Sequence, residues 1–490
     1  MAMDKGKGRV LSLALGLLLS VFFCTFPRAH AATTVSAGFN QGAAIEPSGT
    51  LFTWGNNATG QLGNGTTTSS TTPVQLGTTW SAVAAGNGFT AAIKSNGTLW
   101  TWGSNTAGQL GNGTTVSSVI PVQVGGLSTW AAVAAGSEFA VALQSNGTLW
   151  SWGNNTTGQL GNGTTASTDS PVQVESATNW KAVTAGSNFA LAIRSNGTLW
   201  SWGSNISGQF GNGTTANSTT PVQVGSLSAW AAAAAGSDFT VALQSNGTLW
   251  AWGDNTTGQL GNGTTASTDS PAQIGSAADW VAVAAGVNHA AAIKSNGTLW
   301  SWGNNATGQL GNGTTMNSTT PVQVGGATNW VAVAAGNGFT VAMQSDGSIW
   351  TWGNNSTGQL GDGTTTNTDV PVKVDLPGGT GATGGGRGGG SCFIATAAYG
   401  SILDPHVAAL RRFRDKHLIT NATGRALVAF YYRHSPPPAE FITRHDCLRT
   451  LTRWTLTPVV YGMEHPWLSC LPLVLGLGLA AIRLKKRKGR

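Results

Sequence analysis

The chain has 490 residues, of which 9% are charged and 40% apolar, with 70 Gly, 21 Trp and 4 Cys. Scarce charge with abundant Trp excludes a disordered chain, Gly without a three-residue period excludes collagen, and so few Cys exclude a disulfide scaffold. Residues 32–390 hold six basic and twelve acidic side chains and residues 391–490 fifteen basic and five acidic, so the formal +7 belongs to the two ends and the acidic middle is a poor nucleic-acid binder.

The N-terminus starts basic at Lys5, Lys7 and Arg9 and continues apolar from Val10 to Phe26. Ala29-His30-Ala31 then offers small residues at the two positions a signal peptidase reads. Residues 1–31 are predicted to be a secretory signal peptide, with Ala32 first in the mature chain.

From there one unit repeats. Trp-Gly pairs begin at Trp54, Trp102, Trp152, Trp202, Trp252, Trp302 and Trp352, the first 48 residues apart and the rest 50. Each leads into a Gly-Gln-Leu/Phe-Gly-Asn/Asp-Gly-Thr-Thr loop and then a Pro, from Pro73 to Pro371. A period of this size means a propeller, solenoid or array. Within one unit, residues 130–135 (WAAVAA) read as a small apolar strand, and 139–144 (FAVALQ) alternate large and small. Asn146-Gly147 marks a hairpin, 148–152 a third strand, and Pro171–Val174 a short edge strand where Pro is tolerated. No ten-residue stretch has a helical period, which excludes a helical solenoid. The prediction is four-stranded antiparallel blades, with Trp filling the space between them.

The inner-strand motif Trp-x-Ala-Val-x-Ala-Gly occurs six times, once with Ala in place of Val, against seven copies of everything else. Ala32–Gly38 fits the same strand without its Trp. The first and last segments are therefore expected to complete one blade together, which removes an exposed edge.

The pattern Ala285-Gly286-x-x-His289-x-x-Ala292-Ile293, Asn296-Gly297, Trp302-Gly303-x-Asn305-x-x-Gly308-Gln309-Leu310-Gly311 and Pro321-Val322 resembles the regulator of chromosome condensation (RCC1) repeat family. The resemblance covers residues 33–375 and implies an all-β, seven-bladed RCC1-like β-propeller closed by the N-terminal strand, over 32–375. Some propellers of this kind are nucleotide exchange factors for small GTPases. Here the family's His position is filled by Phe89, Phe139, Phe189, Phe239 and Phe339, with Gln41 in the first copy, and only His289 remains. With near-uniform loops as well, exchange is the secondary reading, and His289 reads as a packed residue.

Other chemistry is thin. The Asn-rich loops lack the several carboxylates a calcium site wants, and Asp254 and Asp362 read as turn residues. Asn-Gly-Thr triplets match a glycosylation acceptor, but they fall at hairpins and read as turns first. A lectin reading rests on 19 Trp within the repeats, which core packing explains better. No His, Asp and Ser or Cys set recurs, so neither an enzyme nor a cofactor site is expected. The two residues after each Ala-Gly vary between copies that are otherwise nearly alike. They are predicted to ring one mouth of the propeller, which makes Asn87, Glu138, Asn188, Asp238, Asn288 and Asn337 the candidate partner-binding face. The partner is a protein or a glycan of unknown identity, and the chain reads as a monomer.

Residues 376–391 form a Gly-rich linker. Cys392-Phe393-Ile394-Ala395-Thr396 then resembles the opening of the CFI-box C-terminal domain of bacterial envelope proteins, which implies a sorting or anchoring tail. Asp404-Pro405 can start a helix, and basic amphipathic stretches follow, so 392–465 is expected to be a small α-helical module. It either contacts anionic lipid or is a soluble bundle with a basic face. Cys392 is a candidate processing or lipidation point, with a buried thiol or a disulfide to Cys447 as alternatives. Trp467–Leu484 is apolar but for Arg483, spans about 27 Å as a helix, and ends in Lys485-Lys486-Arg487-Lys488. Residues 466–490 are therefore expected to be a transmembrane helix with a basic cytoplasmic tail. The whole reads as an exported, envelope-tethered, non-enzymatic binding or adhesion module.

Overall fold

The computed structural model describes residues 35–377. The predicted signal peptide, nearly all of the predicted linker, the expected CFI-box-like module with Cys392 and the expected transmembrane segment lie outside the described residues.

The first blade is a four-stranded antiparallel sheet of β1 (Val35–Ala37), β2 (Gln41–Ile45), β3 (Leu51–Gly55) and β4 (Ser70–Gln75). Six further blades follow in chain order: β5–β8 (80–123), β9–β12 (130–173), β13–β16 (180–223), β17–β20 (230–273), β21–β24 (280–323) and β25–β28 (330–374). The described residues thus form a seven-bladed, all-β propeller.

The third blade shows the local logic. β9 (Trp130–Ala135) and β10 (Phe139–Gln144) match the predicted bounds, while β11 (Leu149–Gly153) lies one residue later. β12 (Thr168–Gln173) starts three residues before the predicted edge strand, because Thr168 still pairs with Gly153 beyond a bulge. Pro171 is accommodated there because an outermost strand leaves a row of N–H groups unused. Phe139, Val141, Leu143 and Leu149 form one face, and it packs against Trp180, Ala190, Ala192 and Trp202 of the next blade. Every neighbouring pair of blades encloses a core of this kind, including the last and first, where Phe339, Val341 and Ile349 meet Val35, Phe52 and Trp54. The Trp of each Trp-Gly pair is fully buried in these cores.

Closure differs from the expectation. β1 is the innermost strand of its own blade, and the last blade is complete from residues 330–374 alone. One N-terminal and six motif-bearing inner strands already equal the seven outer strands, so no strand is missing. The ring closes instead by the contacts that join every other pair of blades. Trp54 Nε1 donates to Gln359 O at 2.9 Å, as Trp202 does to Gln159 O at 3.0 Å. Gly363 N donates to Thr71 O at 2.8 Å, as Gly163 does to Thr219 O. Around the axis, Asn337 N donates to Gly38 O at 3.3 Å, as Val287 N does to Gly336 O at 3.2 Å.

The Ala-Gly motif follows from that axis. A Cβ on Gly38 would stand 2.6 Å from Gly86 O, one on Gly186 2.4 Å from Gly236 O, and one on Gly336 2.5 Å from Gly38 O. Seven glycines are thus needed for backbones to meet around a narrow centre.

Candidate functional site: the two faces of the ring

Strand direction gives the ring two unlike faces. Inner turns such as Gly136–Glu138 and the long interblade loops such as 154–167 lie on one, the loop face. Hairpins such as 145–148 and the linkers between blades lie on the other, the hairpin face. By register, Val35 and Val374 both sit toward the hairpin-face ends of their strands, so the chain enters and leaves there.

The six predicted contact residues all sit at inner turns on the loop face, but they are of two kinds. Asn87 and Asn337 line the axial cavity. Glu138, Asn188, Asp238 and Asn288 stand one position later, beside the interblade loops. Asn154 Nδ2 donates to Glu138 Oε2 at 3.0 Å, and Gln209 Nε2 to Asp238 Oδ1 at 3.3 Å. Asn188 and Asn288 offer their carbonyls to Thr157 and Thr257. The cavity is about 80 Å³. A water occupies roughly 10–15 Å³ on that scale, so the axial cavity has room for a few waters.

Each interblade loop is built on one fully buried Asn. Asn155 Nδ2 donates to Thr164 O and Ala166 O, both at 3.0 Å, and to Asn162 Oδ1 at 3.3 Å. Asn155 Oδ1 accepts from Leu160 N at 2.9 Å. Asp254 and Asp362 accept from Thr256 N and Thr364 N, which is the turn chemistry predicted for them.

Charge separates by face. The five basic residues among the described ones are Lys94, Lys181, Arg194, Lys294 and Lys373, and every one lies at the hairpin-face end of its strand. That face also holds Glu46, Glu175, Asp279, Asp346 and Asp375, which balance them. The loop face holds Glu138, Asp169, Asp238, Asp254, Asp269, Asp362 and Asp369 and no described cation. Burial raises the Asp238 carboxyl above the ordinary carboxylate range, Ser237 Oγ–H works against that, and the Asp254 charge adds to it. On the hairpin face the cations are partly spent internally. Lys94 Nζ lies 4.1 Å from the Trp100 ring centre, Arg194 stacks on Trp180 and Trp200 and pairs with Glu175, and Lys294 pairs with Asp279 at 3.1 Å.

The only described His, His289, is fully buried. Its Nε2 lies 2.9 Å from Thr340 Oγ1, whose own hydrogen goes to Gln309 O at 2.9 Å. Nε2 is therefore the donor. Nδ1 has no partner, and burial pushes the imidazole down to about 4. It packs between blades, as its sequence context suggested.

The alternation of cations with Gln144, Gln244 and Gln344, and of Asp169, Asp269 and Asp369 with uncharged residues, was missed in sequence. Its signal was a hundred-residue period lying over the fifty-residue one.

The RCC1 repeat matches residues 48–93 and 96–143, and the RCC1-like domain matches residues 169–402. The chain carries RCC1 repeats. A second description of the RCC1 repeat matches 80–109 and 130–159. No curated protein matches the chain in sequence. Among solved structures, human WBSCR16 is 22% identical over 67% of this chain and 94% of its own, with a TM-score of 0.60. Prp20p from Saccharomyces cerevisiae, described with its binding to Gsp1p and histones, is 21% identical over 69% of this chain and 88% of its own, with a TM-score of 0.61. The yeast RCC1 (Prp20) structure with Kap60 reaches 0.62 at 20% identity, over 74% and 92%. At these identities the likeness is one of fold, shared by the RCC1-repeat ring described here.

Proposed function

We propose that this RCC1-repeat ring is a non-enzymatic protein-binding module, exported and tethered through its C-terminal region, that engages a basic protein surface with its loop face. The observation that carries the reading is the separation of charge: seven carboxylates and no described cation on one face, five of each sign on the other. Such a field attracts cationic surfaces and repels nucleic acid and anionic lipid. Both ends of the described chain leave from the opposite face. Glu138 and Asp238, on inner turns of the third and fifth blades, are the residues assigned to contact. Export and tethering rest on the signal-peptide and basic-tail patterns of the sequence.

The test is capture by the full-length protein across a salt series. Recovery of basic proteins that falls steeply with ionic strength supports the reading. Salt-independent capture, or capture of acidic proteins, removes it. The fold likeness to Prp20p, described with Gsp1p, keeps nucleotide exchange as the second reading. Release of labelled guanine nucleotide from a small GTPase on mixing would establish that reading instead. Specific retention on a glycan array would favour a lectin.

A further inference from the structure

Thirteen Asn-Gly pairs occur in the sequence. Five sit in hairpins, six in interblade loops and two at inner turns. Asn-Gly is the pair most open to one spontaneous reaction, attack of the glycine backbone nitrogen on the Asn side-chain carbonyl carbon. The attack needs a freely turning Asn side chain and an uncommitted glycine N–H.

Eleven pairs are locked on both counts. In the hairpins, Asn146 Oδ1 accepts from Thr148 N at 3.0 Å and Thr148 Oγ1 at 2.7 Å, while Gly147 N donates to Gln144 O at 3.0 Å. In the loops, Asn162 Oδ1 accepts from Thr164 N and Oγ1, while Gly163 N donates to Thr219 O at 2.8 Å. The same bonds recur at each hairpin and loop copy. Blade seven carries Asp346-Gly347 and Asp362-Gly363 at these two positions with the same acceptor bonds, so only the acceptor oxygen is needed there.

Asn87-Gly88 and Asn337-Gly338 are different. Among the described residues, neither Asn side chain makes a hydrogen bond, and neither Gly88 N nor Gly338 N donates one. Thr59 Oγ1 and Thr307 Oγ1 hold only the glycine carbonyls, at 2.7 and 2.9 Å. Gly88 and Gly338 have φ of 76° and 73°, a region that Glu138, Asn188, Asp238 and Asn288 at the same repeat position do not enter. Both Asn residues face the axial cavity.

We infer that Asn87 and Asn337 are self-modification sites of the folded ring. Gly88 N bonds to Asn87 Cγ and closes a succinimide. The Cγ–Nδ2 bond breaks, and Nδ2 leaves as ammonia with the proton from Gly88 N. Water then opens the ring to aspartate or isoaspartate. Asn337-Gly338 reacts in the same way. Each event adds a carboxylate to the axial mouth. The inference needs no binding partner, so it stands apart from the proposed function.

The test is a time course of the full-length protein at mildly alkaline pH, folded and in denaturant, read by peptide mass and isoaspartate labelling. In the folded protein Asn87 and Asn337 are expected to convert at least about tenfold faster than Asn146 and Asn162, whose bonds must first break. In denaturant all thirteen are expected to convert alike, because the following residue is always Gly. Folded-state rates at Asn87 and Asn337 no faster than at Asn146 and Asn162 would overturn the inference. So would the same preference persisting in denaturant.

Discussion

His289 shows how a single residue tunes this ring. Its folded-state value of about 4 lies below the ordinary 6.5. Below 6.5 the unfolded chain gains a proton, while the folded chain gains one only near 4. The group's contribution is therefore complete above pH 6.5, declines as pH falls toward 4, and is constant below that. The full decline is about 3 kcal/mol. His289→Phe should remove it, because Phe189 stands at the same repeat position with Thr240 in the matching place of the next blade, and Thr240 keeps its own bond to Gln209 O. Denaturation midpoints of both proteins across that pH range measure the effect. A variant that loses stability with the native pH slope would contradict the assignment. The sequence marked His289 as the odd copy among Phe residues, but its orphaned Nδ1 arises from the facing blade and could not be read from the repeat.

At the scale of the element, the interblade loop is the fastener. Its Asn amide lies within hydrogen-bond distance of four carbonyl or side-chain oxygens, its Gln backbone carbonyl takes the next Trp, and its glycines lie against that Trp ring and the next outer strand. Asn155→Ala strands the buried Leu160 N–H and frees the Thr164 and Ala166 carbonyls, and should cost about 1–3 kcal/mol, read by chemical denaturation, while Thr165→Ala, at an exposed position of the same loop, should cost far less. Equal losses would mean that the buried amide does not organise the loop. The hairpins and inner strands were legible because period-two patterning and Asn-Gly turns are local signals. The outer strand was misplaced by three residues because its pairing is fixed by a bulge opposite Gly153, which patterning does not record.

For the molecule as a whole, seven repeats and their propeller geometry were plain in the spacing of Trp, Gly and Pro. The closing joint was not. Six inner-strand motifs against seven outer strands suggested a shared blade, whereas Val35–Ala37 is the seventh inner strand with its Trp lost. Closure thus depends on ordinary blade contacts, with Gly336 against Gly38 O at the seam. Gly336→Ala should destabilise the ring by about 1–3 kcal/mol and expose the seam to protease. Gly126→Ala, with nothing within 4 Å, should leave it unchanged. Melting and limited proteolysis of the two variants make the comparison, and similar behaviour would contradict this account of closure. The charge pattern emerges only at this scale as well. Seven carboxylates scattered over 232 residues share one face because every strand reverses direction at the same two levels.

The most direct measurement is a binding titration of a captured basic partner with the full-length protein and its Glu138→Ala/Asp238→Ala variant, with cross-links mapped on the same complex. The expected result is about a tenfold or greater loss of association rate, with cross-links confined to inner turns and interblade loops. Unchanged binding by the double variant, or cross-links gathered on the hairpins, would show that the ring meets its partner some other way.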